Sequence, residues 1–216
     1  MTAAMHLQEP DIVYQSDQLL AVNKPSGLLT VPGKGPDKQD CLISRVQRLY
    51  PNARVIHRLD MATSGLVLVA RNADALREFS RLFQERRISK RYEAVVGGRI
   101  PTHNGSVELP LICDWPQRPK QKVCFTHGKA ALTHYQLLDY NASRDQSRVS
   151  LVPVTGRSHQ LRVHMLALGH AIVGDELYAT ATVRSASERL LLHACELRFT
   201  DPYSQQEIHL QSAVPF

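Results

Sequence analysis

The sequence lacks long hydrophobic runs and an apolar leader. Its longest apolar stretches are four to six residues, as in 65–70 (GLVLVA), whereas a membrane-spanning helix needs about 18. The first 15 residues, MTAAMHLQEPDIVYQ, contain neither a basic start nor an apolar segment, which argues against a signal peptide. We therefore expect a cytoplasmic protein that has no membrane partner.

Clustered metal ligands and cofactor motifs are also missing. The four cysteines are scattered and form no CxxC pair: Cys41, Cys113, Cys124 and Cys195. Such cysteines are typical of a reducing compartment and do not indicate a zinc site. Glycine-rich nucleotide-binding motifs, HExxH and GxSxG are absent from the sequence as well. We therefore predict no metal and no cofactor.

The 216 residues have an ordinary composition, with 43% hydrophobic and 21% charged residues. This is typical of a globular protein with one large domain or two small ones. Strand-like segments outnumber three or four helical ones, and the two types do not alternate strictly. That order favours an α+β fold, a single domain in which helices and loops flank a mixed, largely antiparallel β-sheet.

The net charge of +6 is concentrated in two places. The first basic segment (81–92, RLFQERRISKRY) holds five cations and one acid, and the second basic segment (117–129, QRPKQKVCFTHGK) holds four cations and no acid. Clustered positive charge indicates a polyanion ligand such as RNA, although a solvated basic face is the simpler alternative. The candidate contacts are Arg86, Arg87, Lys90, Arg118, Lys120 and Lys122.

A few polar residues stand where chemistry is possible. Asp60 precedes a Thr-Ser-Gly turn, where it either caps its own backbone or serves as a partly desolvated functional carboxylate. Arg162 lies near the core edge of a predicted helix and requires a carboxylate, for which Asp60 is a candidate. Tyr92 is either a core aromatic or a ring that stacks on a nucleobase. Arg58 would share a face with Asp60 if the segment is extended.

Five segments together resemble the RluA family of RNA pseudouridine synthases. They are 23–29 (NKPSGLL), 57–65 (HRLDMATSG), 90–92 (KRY), 156–164 (GRSHQLRVH) and 169–175 (GHAIVGD). The resemblance covers nearly the whole chain, with Ala171 standing where proline is usual. It implies the pseudouridine synthase fold, and a domain division into an N-terminal extension (1–15) and a catalytic domain (16–216). It leaves no room for the S4 RNA-binding domain that many relatives carry.

The resemblance also implies an activity, the isomerisation of uridine to pseudouridine without a cofactor. Asp60 would be the essential carboxylate, Arg162 its partner and Tyr92 the ring that stacks on the uracil. Arg58, His57 and Arg157 would bind the substrate. The segment 109–122 (LPLICDWPQRPKQK) narrows the resemblance to family members that modify 23S rRNA and the tRNA anticodon stem-loop.

Two other functions stay open at this point. The first is a hydrolytic nucleosidase, in which the carboxylate acts with water and releases the base. The second is a non-catalytic RNA-binding or ribosome-assembly protein on the same fold. In each case we expect a monomer whose partner is RNA.

Overall fold

The protein is described by a computed structural model that covers residues 9–216 and contains one large sheet, four helices and a separate hairpin. The strands are β1 (Asp11–Gln15), β2 (Leu19–Lys24), β3 (Arg54–Val55), β4 (Ser64–Ala70), β5 (Ser89–Gly97), β6 (Asn104–Glu108), β7 (Leu111–Cys113), β8 (Gln121–Val123), β9 (Leu132–Asn141), β10 (Gln146–Pro153), β11 (Leu192–Thr200) and β12 (Glu207–Gln211). The helices are α1 (Leu42–Leu49), α2 (Ala73–Gln84), α3 (Gln160–Ala167) and α4 (Ala181–Ser185).

The large sheet has ten strands, and eight of them follow the order β1-β2-β4-β11-β5-β10-β9-β6. β12 pairs with β11, and β3 pairs with β4. All pairs are antiparallel except β4 with β11. This arrangement confirms the expected α+β fold with a mixed, largely antiparallel sheet.

The N-terminal boundary expected from the sequence requires a correction. Residues 11–15, which we placed in an N-terminal extension, form β1 and pair with β2 at the edge of the large sheet. Their main-chain groups therefore belong to the same hydrogen-bonded unit as the rest of the domain. Within residues 9–216, no helix is long and apolar enough to cross a membrane.

Strand β4 is the buried centre of the fold, and its two faces contact different helices. Leu66 and Leu68 pack with Phe79 of α2 on one face, while Val67 packs with Val46 of α1 on the other. This alternation follows from the pleat of a strand, which sends successive side chains to opposite faces. The continuous apolar run of β4 is therefore explained by a helix on each side.

A glycine marks the place where β4 begins beside β11. Gly65 has a φ of +113°, and a Cβ atom there would lie 2.3 Å from the carbonyl oxygen of Ala194. The two strands run parallel here, with His193 opposite Ser64. Only glycine allows this close approach, which fixes the start of β4 and with it the turn that precedes the strand.

The β7–β8 hairpin (residues 111–123) forms a two-stranded sheet of its own and lies against α3. Leu111 is buried in a small cluster with Ala131 and Val163, and Val123 and Tyr178 pack against that cluster. The hairpin carries most of the second basic segment. It is therefore fixed to the same helix that holds Arg162.

Candidate active site

Asp60 lies in the turn between β3 and β4, which we call the Asp60 turn (residues 60–63). The turn is closed by a hydrogen bond from the Thr63 amide to the Asp60 carbonyl oxygen, 3.1 Å long. The Asp60 side chain is 30% exposed. Strand β3 ends at Val55, so Arg58 does not lie in a strand. The exposed side chain of Arg58 is therefore not placed on the same face as Asp60 by an extended segment, as the sequence suggested.

A neighbouring segment, residues 24–30, holds the Asp60 turn through its main chain. Three side chains of this supporting segment donate to carbonyl oxygens around Asp60: Lys24 to Met61 (3.1 Å), Ser26 to Ala62 (2.7 Å) and Thr30 to Leu59 (2.8 Å). The Gly27 amide adds a bond to the Met61 carbonyl oxygen at 2.9 Å. The turn is thus held rigidly without using the carboxylate itself.

Lys24 was not among the site residues expected from the sequence, although it lies in one of the quoted segments. Its side chain is fully buried, and its Nζ also donates to the carbonyl oxygens of Pro25 (2.9 Å) and Leu28 (2.7 Å). Burial lowers the pKa of Lys24 to about 7, while the nearby Asp60 carboxylate acts in the opposite direction. A titratable cation therefore lies beneath the turn that carries Asp60.

Arg162, in α3, binds two carboxylates. Its Nε and Nη2 atoms donate to the two oxygens of Asp175 at 2.7 and 2.6 Å, and its Nη1 lies 3.6 Å from Oδ2 of Asp60. The Arg162 side chain is 5% exposed and that of Asp175 is 1% exposed. The expected pairing of Arg162 with Asp60 is present, but the closer, bidentate partner is Asp175.

Asp175 is a carboxylate that the sequence analysis overlooked, because only Asp60 was considered. Its Oδ1 also accepts the amides of Leu177 (2.9 Å) and Tyr178 (3.1 Å). These bonds fix the loop after α3, where the chain returns to Arg162. The sequence feature that could have identified Asp175 is its position after Gly174, at the end of the last segment that resembles the family (169–175).

Two further residues complete the surroundings of Asp60. His159, just before α3, has its Nε2 atom 3.9 Å from Oδ1 of Asp60, and its Nδ1 lies 2.7 Å from the Tyr178 hydroxyl. The guanidinium carbon of Arg162 lies 5.1 Å from the centre of the Tyr178 ring. Burial raises the pKa of Tyr178 to about 12. A second tyrosine therefore belongs to this site.

Tyr92, in β5, lies at the border between two core clusters and is half-buried. Burial raises the pKa of its hydroxyl, and the negative charge of Asp60 raises it further. The phenol is therefore neutral over the physiological pH range. The charge of Asp60 therefore acts on the Tyr92 hydroxyl through space.

His57, which we expected to bind substrate, has an internal role in this structure. Its Nε2 accepts the amide of Leu68 at 2.9 Å, and its ring centre lies 4.5 Å from that of Phe83. Burial lowers the pKa of His57 to about 3. The ring is therefore neutral and occupied by contacts that attach the start of the Asp60 turn to β4.

The first basic segment lies where α2 ends and β5 begins. Arg86 is exposed in the left-handed conformation, with φ +58°, and exposed Arg87 lies 3.5 Å from Glu85. Lys90 is half-buried, and burial lowers its pKa. Of the candidate contacts in this segment, Arg86 and Arg87 thus present exposed guanidinium groups.

The second basic segment is on the β7–β8 hairpin and its exit. Arg118 lies over the ring of Trp115, with its guanidinium carbon 4.5 Å from the ring centre. Lys122 pairs with Asp114 at 3.0 Å, so the acid-free segment has a neighbouring acid that offsets part of its charge. Arg157, further along the chain, donates to the carbonyl oxygen of Ala130 at 3.1 Å.

None of these groups resembles a metal centre. Among residues 9–216, no three histidine, cysteine, aspartate or glutamate side chains are grouped closely enough to hold a metal ion. The arrangement offers instead one partly exposed carboxylate between a buried arginine and a partly buried histidine, near the rings of Tyr92 and Tyr178. Such a site offers a carboxylate oxygen to a bound ligand.

Relatives of the chain have both this fold and a common activity. Residues 18–167 match the family model for RNA pseudouridylate synthase. The chain is 54% identical over 197 residues to the dual-specificity RNA pseudouridine synthase RluA of Escherichia coli K12, a match that covers 90% of each protein. The corresponding protein of Yersinia pestis is 49% identical over 208 residues, covering 95% of this chain and 99% of that one.

Solved structures agree with the sequence comparison. The human RNA pseudouridylate synthase domain containing 1 matches with a TM-score of 0.81 and 31% identity, covering all of this chain and 87% of that one. The human RNA pseudouridylate synthase domain containing 4 shares the fold, with a TM-score of 0.75 at 24% identity over 94% of this chain and 88% of that one. The chain belongs to the RNA pseudouridylate synthase family and is an isomerase that acts on RNA.

Proposed function

We propose that this enzyme forms pseudouridine in stem-loops of 23S rRNA and tRNA, with Asp60 as its catalytic carboxylate. The name "dual-specificity" of the Escherichia coli and Yersinia pestis relatives supports a choice of more than one RNA. The segment 109–122 supports the same reading. The proposal includes a monomeric enzyme in the cytoplasm, where both RNA classes are found.

The observation that carries the assignment of Asp60 is the contrast between two carboxylates. The oxygens of Asp175 accept four hydrogen bonds, two from Arg162 and two from main-chain amides. Among the described residues, none donates a hydrogen bond to the carboxylate of Asp60, whose nearest basic side chains, those of Arg162 and His159, are 3.6 and 3.9 Å away. Asp60 therefore keeps free lone pairs for a substrate, whereas Asp175 is saturated and structural.

The reaction balances without a redox partner. The bond between C1′ of the ribose and N1 of uracil breaks, a bond between C1′ and C5 forms, and the proton of C5 is lost while N1 gains one. Asp60 supplies the anionic oxygen on the sugar side, either by attack on C1′ or by removal of the C2′ proton. Tyr92 would stack on the uracil while it turns.

The target uridine must leave its stack to reach Asp60, which costs a few kcal/mol. Arg58 is exposed two residues before Asp60, where it would enter the space that the uridine vacates. The exposed cations of the two basic segments would offset the remaining cost through phosphate contacts.

Product analysis tests the proposal directly. Purified enzyme is incubated with a 23S rRNA stem-loop and a tRNA anticodon stem-loop, and the digested RNA is analysed for pseudouridine and free uracil. We expect pseudouridine from both RNAs, and none from Asp60→Asn. Free uracil would identify a nucleosidase, and unchanged RNA bound at normal affinity would identify a non-catalytic binding protein. Activity retained by Asp60→Asn would reject the assignment of the carboxylate.

The β7–β8 hairpin provides a second measurement, because Trp115 is the single tryptophan of the chain. Its side chain is 66% exposed beside Arg118, where a base or phosphate can reach it. Titration of Asp60→Asn with a stem-loop should change the tryptophan emission with the same midpoint as a filter-binding curve. Binding without any change in emission would place the RNA elsewhere.

A further inference from the structure

His159 has an unusual backbone and a side chain that is mostly covered. It is the residue before α3 and lies in the left-handed region, with φ +54° and ψ +18°. Residues other than glycine adopt this region rarely, and they stay there when their surroundings hold them. The side chain of His159 is 11% exposed and directs one ring nitrogen towards Asp60 and the other towards Tyr178.

The hydrogen bonds of Tyr178 favour one tautomer of His159. The Tyr178 hydroxyl accepts the amide N–H of Gln121 at 2.7 Å. A phenol has one proton to donate, and the atom 2.7 Å away on the other side is Nδ1 of His159. A neutral imidazole that accepts this proton at Nδ1 carries its own hydrogen on Nε2.

Several charged groups face His159, and their effects partly cancel. Burial lowers its pKa, and Arg162, on the same helix, lowers it further, while Asp60 and Asp175 oppose this. The imidazole is therefore neutral near pH 7. Its Nε2–H group points to Oδ1 of Asp60 across 3.9 Å, a distance at which a small closure completes a hydrogen bond, as often occurs when substrate binds.

We propose that His159 is a positioning residue for the reaction, held by Tyr178 as the Nε2–H tautomer so that it orients Oδ1 of Asp60 while Arg162 orients Oδ2. This inference rests on the proposed role of Asp60. A neutral donor suits the task because it aligns the carboxylate without adding a positive charge that would weaken it as a base or nucleophile. Tyr178 also joins His159 to Gln121, so the β7–β8 hairpin helps to set the geometry at Asp60.

Two substitutions of His159 separate this role from a purely structural one. In His159→Gln the side-chain amide can place an N–H donor near the position of Nε2, whereas the shorter side chain of His159→Asn reaches only the position of Nδ1. Asparagine, however, is the residue that best tolerates the left-handed conformation after glycine. A structural role therefore predicts that Asn is the better replacement, and a positioning role predicts that Gln is.

The measurement is single-turnover formation of pseudouridine, together with RNA affinity by filter binding and thermal unfolding. We expect His159→Asn to lose about tenfold in rate, as for the loss of one hydrogen bond, while His159→Gln stays closer to wild type. RNA affinity should change little in both variants. Equal rates for the two variants, or a faster Asn variant, would overturn the proposal.

Tyr178→Phe tests the tautomer. This change removes the hydroxyl but keeps the ring against Arg162, so Nδ1 of His159 loses its donor. We expect Tyr178→Phe to lower the rate of pseudouridine formation when residue 159 is histidine. We expect no such loss when Tyr178→Phe is combined with His159→Gln, because a glutamine amide has no tautomers for Tyr178 to select. Equal losses in both backgrounds would contradict the link. Tyr140→Phe is the matched control, because that hydroxyl bonds Asp145 at 2.8 Å in the hairpin between β9 and β10.

The outcomes also distinguish this inference from the proposed function. If wild-type enzyme forms pseudouridine and Asp60→Asn does not, the proposed function stands, and the Gln and Asn variants decide the role of His159 alone. If wild-type enzyme forms no pseudouridine from either stem-loop, the proposed function fails and the role of His159 fails with it.

Discussion

Asp175→Asn removes one buried negative charge and leaves its partner, Arg162, in the interior. The Arg162 and Asp175 side chains are 5% and 1% exposed, and two short hydrogen bonds join them. An asparagine has the same shape and keeps one acceptor oxygen, but its NH₂ group faces N–H donors of Arg162 or of the main chain. We therefore expect a large loss of stability from a change of a single atom.

The magnitude follows from the neighbours of Arg162. Breaking a buried pair by removing one partner costs about 3–5 kcal/mol. Asp60 remains 3.6 Å from the guanidinium group and compensates part of the charge, so we expect a loss near 3 kcal/mol. For a chain of this length each kcal/mol corresponds to about 2–4 °C, which gives a decrease in Tm of roughly 6–12 °C.

Two matched controls isolate the ion pair. Asp201 is also buried and also accepts the amides two and three residues ahead, those of Tyr203 and Ser204. Asparagine forms the same turn, so Asp201→Asn should cost no more than about 1 kcal/mol. Asp60→Asn breaks only a longer, partly exposed contact and should cost at most about 1 kcal/mol, while it abolishes pseudouridine formation.

Urea unfolding of the three variants and the wild type, followed by circular dichroism, gives the free energies of unfolding. The expected order of destabilisation is Asp175→Asn far above Asp201→Asn and Asp60→Asn. If Asp175→Asn unfolds at the same urea concentration as Asp201→Asn, the buried pair is not what holds Arg162, and the contrast drawn between the two carboxylates fails.

Three other outcomes are expected. Tyr92→Phe keeps the aromatic ring and should bind RNA normally. If the hydroxyl of Tyr92 assists proton removal from C5, the variant will release tritium slowly from RNA that contains 5-tritiated uridine. Release at the normal rate would limit the role of Tyr92 to stacking. Lys120→Ala should flatten the slope of log affinity against log salt by about 0.7, the value for one phosphate on a single strand. The choice of uridine should not change. If the slope stays at the wild-type value, Lys120 does not contact the RNA. Burial lowers the pKa of His57 to about 3 and that of His193 to about 4, below the ordinary value of 6.5. Between these pH values the unfolded state binds more protons than the folded state, so the free energy of unfolding should fall as the pH decreases from 6.5 towards 4. A free energy of unfolding that does not change with pH in urea titrations would contradict the burial of the two histidines as neutral rings.

Local sequence patterns predicted the elements that carry Asp60 and Arg162. The apolar run at 66–70 became the central strand β4, because a helix covers each of its faces. The glycine of the Thr-Ser-Gly turn is needed where β4 meets β11. The helix predicted around Arg162 is α3, and Leu161 and Met165 of this helix pack in the core beside it. Apart from the contact between Gly65 and β11, these features depend on residues that are close in sequence.

The partners of Arg162 and His57 could not be predicted in the same way. Asp175 returns to Arg162 through a loop that contains Gly169 and Gly174, both with positive φ, and no periodicity indicates where such a loop ends. His57 has the residue type of a substrate ligand, but its ring accepts the amide of Leu68. Side-chain roles that depend on contacts between distant segments become visible only when the chain is folded.

The basic groups nearest Asp60 are bonded to other partners. Arg162 is largely neutralised by Asp175, and the cation of Lys24 is directed to main-chain carbonyl oxygens. Both positive charges therefore act on Asp60 through space and neither occupies its lone pairs. A direct bidentate arginine would have made the carboxylate a weaker base and nucleophile. In the mechanism that we propose, Asp175 supports the reaction by keeping Arg162 at a distance from Asp60.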